Sequence, residues 1–200
     1  WFESGSMPYA QEHFPFEMKH KKMKAPQSFP ANFIAEGMDQ TRGWFYTLTV
    51  LGAALFEKSP FEHCVVNGTV LAEDGKKMSK RLQNYPDPMI VVKKHGADAI
   101  RFALMSSPAV RGEDLRFSER VVEENVRSVL LPLWNTYSFF VTYANAAKFE
   151  AKDTRRKSEH PLDVWIRAEV QDLANRMTNE LEEFDLSATC AELHETIDAR

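Results

Sequence analysis

The chain has 200 residues, 44% hydrophobic and 27% charged, with a formal net charge of −4. That is a soluble globular composition, enough for one large domain or two small ones, and its mild acidity excludes a global field for drawing in nucleic acid or anionic membrane. The two cysteines and six histidines show no metal-ligand spacing, His13 and His20 included, so no bound metal and a reducing cytoplasm are expected, and no apolar run is long enough to span a bilayer.

Residues 1–30 mix Pro, Met, Lys and aromatics without a sustained period and read as irregular structure or short strands. The opening "WFESGSMPYA" lacks the basic start and apolar centre of a signal peptide. It starts on Trp1 rather than Met, so the chain is expected to begin inside a larger protein. "NFIAEG" has strand character. In "DQTRGWFYTLTVLGAALFEK", Asp39 is a plausible N-cap, and Trp44, Leu48, Leu51 and Leu55 recur at helical spacing. "CVVNGTVLAEDG" is β-rich, with turn signals at Asn67-Gly68 and Asp74-Gly75. Strand, helix and strand in that order predict a βαβ unit and part of a parallel sheet.

"DPMIVVKKHG" predicts a helix stopped at Gly96 in a left-handed cap, and "ADAIRFALMSS" a second short helix. After "SPAVRGEDLRFS" the pattern changes. Residues 119–147 read as one long amphipathic helix with a kink at Pro132, and two more helices flank "FDLS" beyond the polar connector 150–161. Residues to about 114 therefore read as α/β, and the rest as a helical bundle.

The stretch "LAEDGKKMSKRLQNYPDP", residues 71–88, sets four cations, Lys76, Lys77, Lys80 and Arg81, around a Met78-Ser79 pair. Such lysines stay charged at neutral pH. On a flexible loop after a strand they can swing onto a polyphosphate and neutralise charge that grows during phosphoryl or adenylyl transfer. On charge alone, a solvated surface is the commoner reading of such a cluster, and a nuclear-localisation or nucleic-acid patch is another. The chain holds neither G-x-x-x-x-G-K-[ST] nor G-x-G-x-x-G.

"AEGMDQTRGWF" carries the second candidate group. Glu36, Asp39, Gln40, Gly43 and Trp44 share one face if the helix extends back that far. Two acids and an amide followed by Gly and Trp suit a cleft at a strand-to-helix junction. There carboxylates accept from hydroxyls or an ammonium, Gly43 permits close approach and Trp44 walls an apolar group. An N-cap at Asp39 and a core anchor at Trp44 would explain the same letters.

"KMSKR" between "LAEDGK" and "NYPDP" resembles the second signature loop of class I aminoacyl-tRNA synthetases, which takes the form Lys-Met-Ser-Lys-Ser or Lys-Met-Ser-Lys-Arg. Taken with "WFESGSMPYAQ" and "FIAEGMDQTRGWF", nearly the whole chain resembles the isoleucyl-specific members of that family, and "SVLLPLWNTYSFF" and "LDVWI" resemble their helical anticodon-binding region. The resemblance implies an α/β fold: the C-terminal half of a Rossmann-like nucleotide-binding domain over residues 1–114, then the start of an α-helical anticodon-binding bundle over 115–200. It implies an ATP-dependent ligase that activates isoleucine with Mg2+-bound ATP and charges tRNA(Ile) in the cytoplasm. Lys77 and Lys80 would be catalytic, and Lys77, Met78, Ser79 and Lys80 would bind ATP. Glu36, Asp39, Gln40, Trp44 and Trp1 would hold the aminoacyl-adenylate, with Trp1 and Trp44 against the isoleucine side chain.

The His-x-Gly-His type of first signature is absent, as are the first half of the nucleotide-binding fold and an editing domain. This piece is therefore expected to be inactive without the remainder of the synthetase chain. Arg116, Arg120 and Arg127, then Arg155, Arg156 and Lys157, could meet tRNA phosphates, although interleaved glutamates fit a solvated helix surface better. A valyl or other aliphatic relative, and a non-catalytic tRNA- or phosphate-binding module, are the rival readings.

Overall fold

Two short parallel strands, rather than one continuous sheet, anchor the first part of the chain. The structure is a computed structural model that describes residues 1–17, 25–79, 81–150 and 158–198. It divides into two units, Trp1–Thr69 with Ala109–Asp114, and Val70–Pro108 with Leu115–Arg200.

In the first unit, β1 (Ala31–Gly37) pairs in parallel with β2 (Phe61–Asn67), Ala31 facing Phe61 and Gly37 facing Asn67. The crossover between them carries a 3-10 turn, Met38–Arg42, and helix α3, Trp44–Phe56. This is the βαβ unit that the order of apolar runs predicts. Phe45 and Leu48 fall on one face of α3 and are buried against Ala31 and Ile34 of β1, with Met7, Phe61, Cys64 and Val66 around them. Leu48 has no solvent exposure, and its burial alone contributes roughly 1.5–3 kcal/mol.

Residues 1–10 are two single helical turns, α1 (Phe2–Gly5) and α2 (Met7–Ala10), not the irregular chain or strands expected. Pro8 suits the first turn of α2, where its missing N–H costs nothing. The Glu12 carboxylate accepts the backbone N–H groups of Gln27 and Ser28, tying this segment to the start of β1.

In the second unit, β3 (Val70–Leu71) pairs in parallel with β4 (Leu115–Arg116). Helix α4 (Pro88–His95) is capped by the Asp87 carboxylate, which accepts the Met89 N–H at 2.8 Å. It ends at Gly96, whose φ of 88° is positive, as a glycine stop requires, while its ψ of 157° lies outside the left-handed helical conformation expected. Helix α5 (Ala97–Met105) follows, and Ala99 and Ala103 pack with Val91 and Val122 as the core. The long helix predicted over 119–147 is present as α6 (Glu119–Asn125), a π-helical turn (Val126–Leu130) and α7 (Leu131–Ala146). The wider turn falls just ahead of Pro132, whose ring crowds the preceding carbonyls and which has no N–H to donate. Helices α8 (Pro161–Glu182) and α9 (Leu186–Asp198) complete the unit. They are joined by Arg176, which donates to Glu192 at 2.9 Å and to Asp172. Among the described residues, no helix is long and apolar enough to cross a membrane.

The C-terminus of α4 meets the N-terminus of α6 through charge. Lys94 Nζ lies 2.7 Å from Glu119 and 3.2 Å from Glu123, and His95 Nε2 lies 2.8 Å from Glu119. Cations at a helix C-terminus and carboxylates at an N-terminus each complement the local dipole. The hydrogen bond from Lys94, then that from His95, holds the Glu119 carboxyl below its ordinary range. A carboxyl with a lowered folded pKa stabilises the fold above its unfolded pKa and loses that contribution as pH falls through the folded one. Lys94→Met is therefore expected to flatten the fall in urea midpoint between about pH 5 and pH 3. An acid limb as steep as in the unchanged protein would show that the pair carries no linkage.

Candidate functional site

In the first unit, Trp1, Ser4, Glu36, Gln40 and Trp44 surround an open hollow of about 290 Å3. It lies at the carboxyl end of β1, where open α/β sheets hold ligands. Glu36 is the last residue but one of the strand, Gln40 belongs to the 3-10 turn and Trp44 opens α3. These residues do not share one continuous helix, as the spacing argument supposed. The strand ends, the turn tightens, and the three side chains are gathered by the corner.

Hydrogen bonds fix that corner. The Gln40 side-chain oxygen accepts the Trp44 N–H at 3.0 Å and so satisfies an orphan donor of α3. The same amide donates through Nε2 to Asp39 at 3.1 Å. Asp39 is thus not the N-cap of α3: the cap position is Gly43, which has no side chain to offer, and the Gln40 amide supplies the acceptor. Asp39 is not in the lining of the hollow; it orients the residue that is. Trp44 Nε1 donates to the Ser4 carbonyl at 2.8 Å, which spends its polar edge on α1 and leaves the ring face as an apolar wall. Trp1 is 74% exposed and forms the outer wall. A Cβ at Gly43 would lie 2.8 Å from the Gln40 oxygen and 3.1 Å from the Trp1 ring, so a side chain there would displace either the cap or the wall. Ser4 and the capping role of Gln40 escape a sequence reading. A carbonyl partner leaves no sequence signal, and Asp39 is the better cap former by type.

The basic stretch lies in the second unit. Leu71 and Lys77 form an antiparallel bridge across a tight turn, with Ala72 N–H donating to Lys76 O at 2.9 Å. Gly75 supplies the positive φ, 77°, that this turn requires. What reads as a flexible loop is, up to Lys77, a hydrogen-bonded hairpin. Asp74 accepts the Lys76 backbone N–H at 3.0 Å and pairs with its ammonium at 3.3 Å. That backbone hydrogen bond, with lesser help from the ammonium, holds the Asp74 carboxyl below its ordinary range. Lys76 is therefore partnered, whereas Lys77 is exposed and has no ion pair among the described residues. Met78 lines an apolar cavity of about 220 Å3 with Val70, Tyr85, Pro86, Leu104 and Phe117. Ser79 is half-buried. Lys80 lies outside the described residues, as do His20, Arg155, Arg156 and Lys157.

Of the helical arginines, Arg120 lies 3.5 Å from Glu124, the pairing expected of a solvated helix surface. Among the described residues, His95, Glu119 and Glu123 hold potential metal-ligand atoms within 4.8 Å of one another. The ammonium of Lys94 already sits on both carboxylates.

Residues 1–118 match the family of class I tRNA synthetases for I, L, M and V. The chain is 50% identical over an alignment of 211 residues to the isoleucine–tRNA ligase of Treponema denticola, covering 99% of this chain and 19% of that one. The Protochlamydia amoebophila isoleucine–tRNA ligase is 52% identical over 187 residues, 94% of this chain and 18% of that one. A Dictyostelium discoideum relative, 57% identical over 182 residues, covers 86% of this chain and 17% of that one, and its name adds the word cytoplasmic. The chain thus spans about a fifth of the length of the curated relatives it matches. A solved ternary complex of Agrobacterium radiobacter K84 agnB2 LeuRS with tRNA and LeuAMS shares its fold. The TM-score is 0.66 at 22% identity, over 84% of this chain and 22% of that one.

Gln40→Ala removes the acceptor from the start of α3 and the anchor of the hollow's floor. It is expected to lower stability by roughly 0.5–2 kcal/mol, read from urea unfolding, and the double exchange Gln40→Glu with Asp39→Asn, which keeps the acceptor for Trp44 and restores a donor between positions 39 and 40, to recover most of that loss. Equal losses in the two variants would mean that the bond to the Trp44 N–H carries none of it.

Proposed function

The chain belongs to the class I tRNA synthetases of the isoleucine, leucine, methionine and valine group, and from that membership we propose that it is a segment of an isoleucine–tRNA ligase. The carrying observation is identity of 49–53% with isoleucine–tRNA ligases over at least 93% of the chain in four relatives. In the whole protein the carboxylate of isoleucine attacks the α-phosphorus of Mg2+-bound ATP in line. The α–β bridging bond breaks, pyrophosphate leaves, and isoleucyl-adenylate remains. A ribose hydroxyl of the terminal adenosine of tRNA(Ile) then takes the acyl group, and AMP leaves.

Residues 1–114 supply the C-terminal half of the nucleotide-binding domain and residues 115–200 begin the helical anticodon-binding domain. The corner hollow holds the amino-acid end. The Trp44 face and the Trp1 ring wall the isoleucine side chain, which suits their apolar surfaces. Glu36 offers a carboxylate to the ammonium or a ribose hydroxyl, and the Gln40 amide is held in place by Asp39 and the Trp44 N–H. Such a wall separates isoleucine from valine by one methylene, and this pair is the standing example of how little one methylene discriminates. Editing elsewhere in the protein is the natural complement. Lys77 and Lys80 neutralise the charge that gathers on the departing pyrophosphate, with Met78 and Ser79 shaping the strand between them. The cytoplasm is the site of action.

Lys77→Ala and Lys80→Ala in the intact protein are each expected to cut ATP–pyrophosphate exchange by about 10²–10³-fold while tRNA affinity holds. Loss of tRNA affinity with exchange intact would instead assign a phosphate-binding module. Stronger thermal protection by a valyl- than by an isoleucyl-adenylate analogue would assign a valine enzyme. The 200-residue segment without its partner half is expected to show no exchange, because positioning and preorganised charge need both walls of the site. Exchange by a pure sample of it would overturn the two-half assignment.

A further inference from the structure

Resting on that reading of the loop lysines, we propose that Asn84 is the positioning residue that sets Lys77 for the adenylation step. The Asn84 side chain makes two hydrogen bonds to the strand that carries the lysine. Its Oδ1 accepts the backbone N–H of Ser79 at 2.9 Å, and its Nδ2 donates to the backbone carbonyl of Lys77 at 3.1 Å. A carbonyl at one residue and an N–H two residues later point the same way only when the chain between them is extended. They are the two groups that a neighbouring parallel strand would engage. The Asn84 amide therefore stands in for one residue of such a strand, and it holds Lys77, Met78 and Ser79 extended.

Side chains alternate in an extended segment. Met78 goes one way, into the apolar cavity with Val70, Leu104 and Phe117. Lys77 is directed away from that cavity, and it is exposed. The amide clasp and the Met78 seat act on opposite sides of the same three residues. The base of the clasp is itself held. Leu82 and Gln83 both donate backbone N–H groups to the Ser79 carbonyl, at 3.1 and 2.9 Å, and Gln83 takes a φ of 48° to bring the chain back. Upstream, the bridge between Leu71 and Lys77 fixes the other end. Without the amide, the Lys77 carbonyl and Ser79 N–H would turn to water, and the lysine would sample many directions before each encounter with ATP.

The test uses the full-length enzyme. Asn84→Ala is expected to lower kcat for ATP–pyrophosphate exchange by about 10–100-fold, the scale of a small misplacement of a positioned group. The KM for isoleucine and the transfer of preformed isoleucyl-adenylate to tRNA should stay unchanged. Asn84→Asp keeps the acceptor for Ser79 but sets a carboxylate oxygen against the Lys77 carbonyl, so it should not restore the rate lost in Asn84→Ala. Limited trypsin digestion gives a readout independent of catalysis: cleavage after Lys77 should quicken in Asn84→Ala. If Lys77→Ala abolishes exchange but Asn84→Ala does not lower it, this inference fails and the ligase reading stands. If Lys77→Ala itself leaves exchange intact, the reading beneath it has failed. A parallel fall of every rate with the melting temperature in both Asn84 variants would reduce Asn84 to a structural residue and overturn the proposal.

Discussion

Two strands that run parallel cannot be joined by a tight turn; the chain must climb back over the sheet before the second strand can start. In the first unit that constraint places everything else. The climb begins where β1 ends, so the last strand residues, the 3-10 turn and the first turn of α3 all lie at one corner. Glu36, Gln40 and Trp44 meet there because of the crossover and not because they share a helix face. The backbone amides at the start of α3 need acceptors, and the Gln40 side chain provides one. The polar edge of the Trp44 indole needs a partner, and the Ser4 carbonyl provides it. Satisfying these groups leaves a hollow with an acid at the strand end and aromatic walls.

The second unit handles a different problem: keeping positive charge local in a chain of net charge −4. Lys76 is neutralised by Asp74, and Lys94 by two glutamates. Lys77 is left exposed on a hairpin whose backbone is hydrogen-bonded on both sides. A lysine on a soft tether spends entropy each time it meets an anion, whereas one on a held strand has already lost it. Partnered cations and an exposed one three residues from the same acid illustrate how a chain of net negative charge can still present a local positive charge.

Much of this architecture could be read in advance. The βαβ unit follows from two short apolar runs, Phe33-Ile34 and Cys64-Val65-Val66, around a helical period. Both helix stops, at Gly96 and at Phe184-Asp185, coincide with their turn residues. The break in the long helix near Pro132 was expected, although it takes the form of a π-turn just upstream. The misreadings share a cause. Asp39 is by type a better N-cap than Gln40, and residues 1–10 have too little period to reveal two single helical turns. Both are settled by local backbone geometry, the capping bond from Trp44 N–H to Gln40 and the bonds that close each single turn, which residue types alone do not report. The glycine at position 96 has the positive φ expected of it but not a left-handed helical ψ, since positive φ alone does not fix ψ.

Residue order alone was enough for most of the kinds of element and for where the cations and turn residues fall, because propensity, turn type and charge are local properties. It did not contain the partner of the Trp44 indole forty residues back, the cap made by Gln40, or the amide of Asn84 clasping the strand around Met78. Those are choices among many donors and acceptors of equal type. They are made when the folded backbone brings one pair within about 3 Å and in line, so distance and direction in three dimensions settle them.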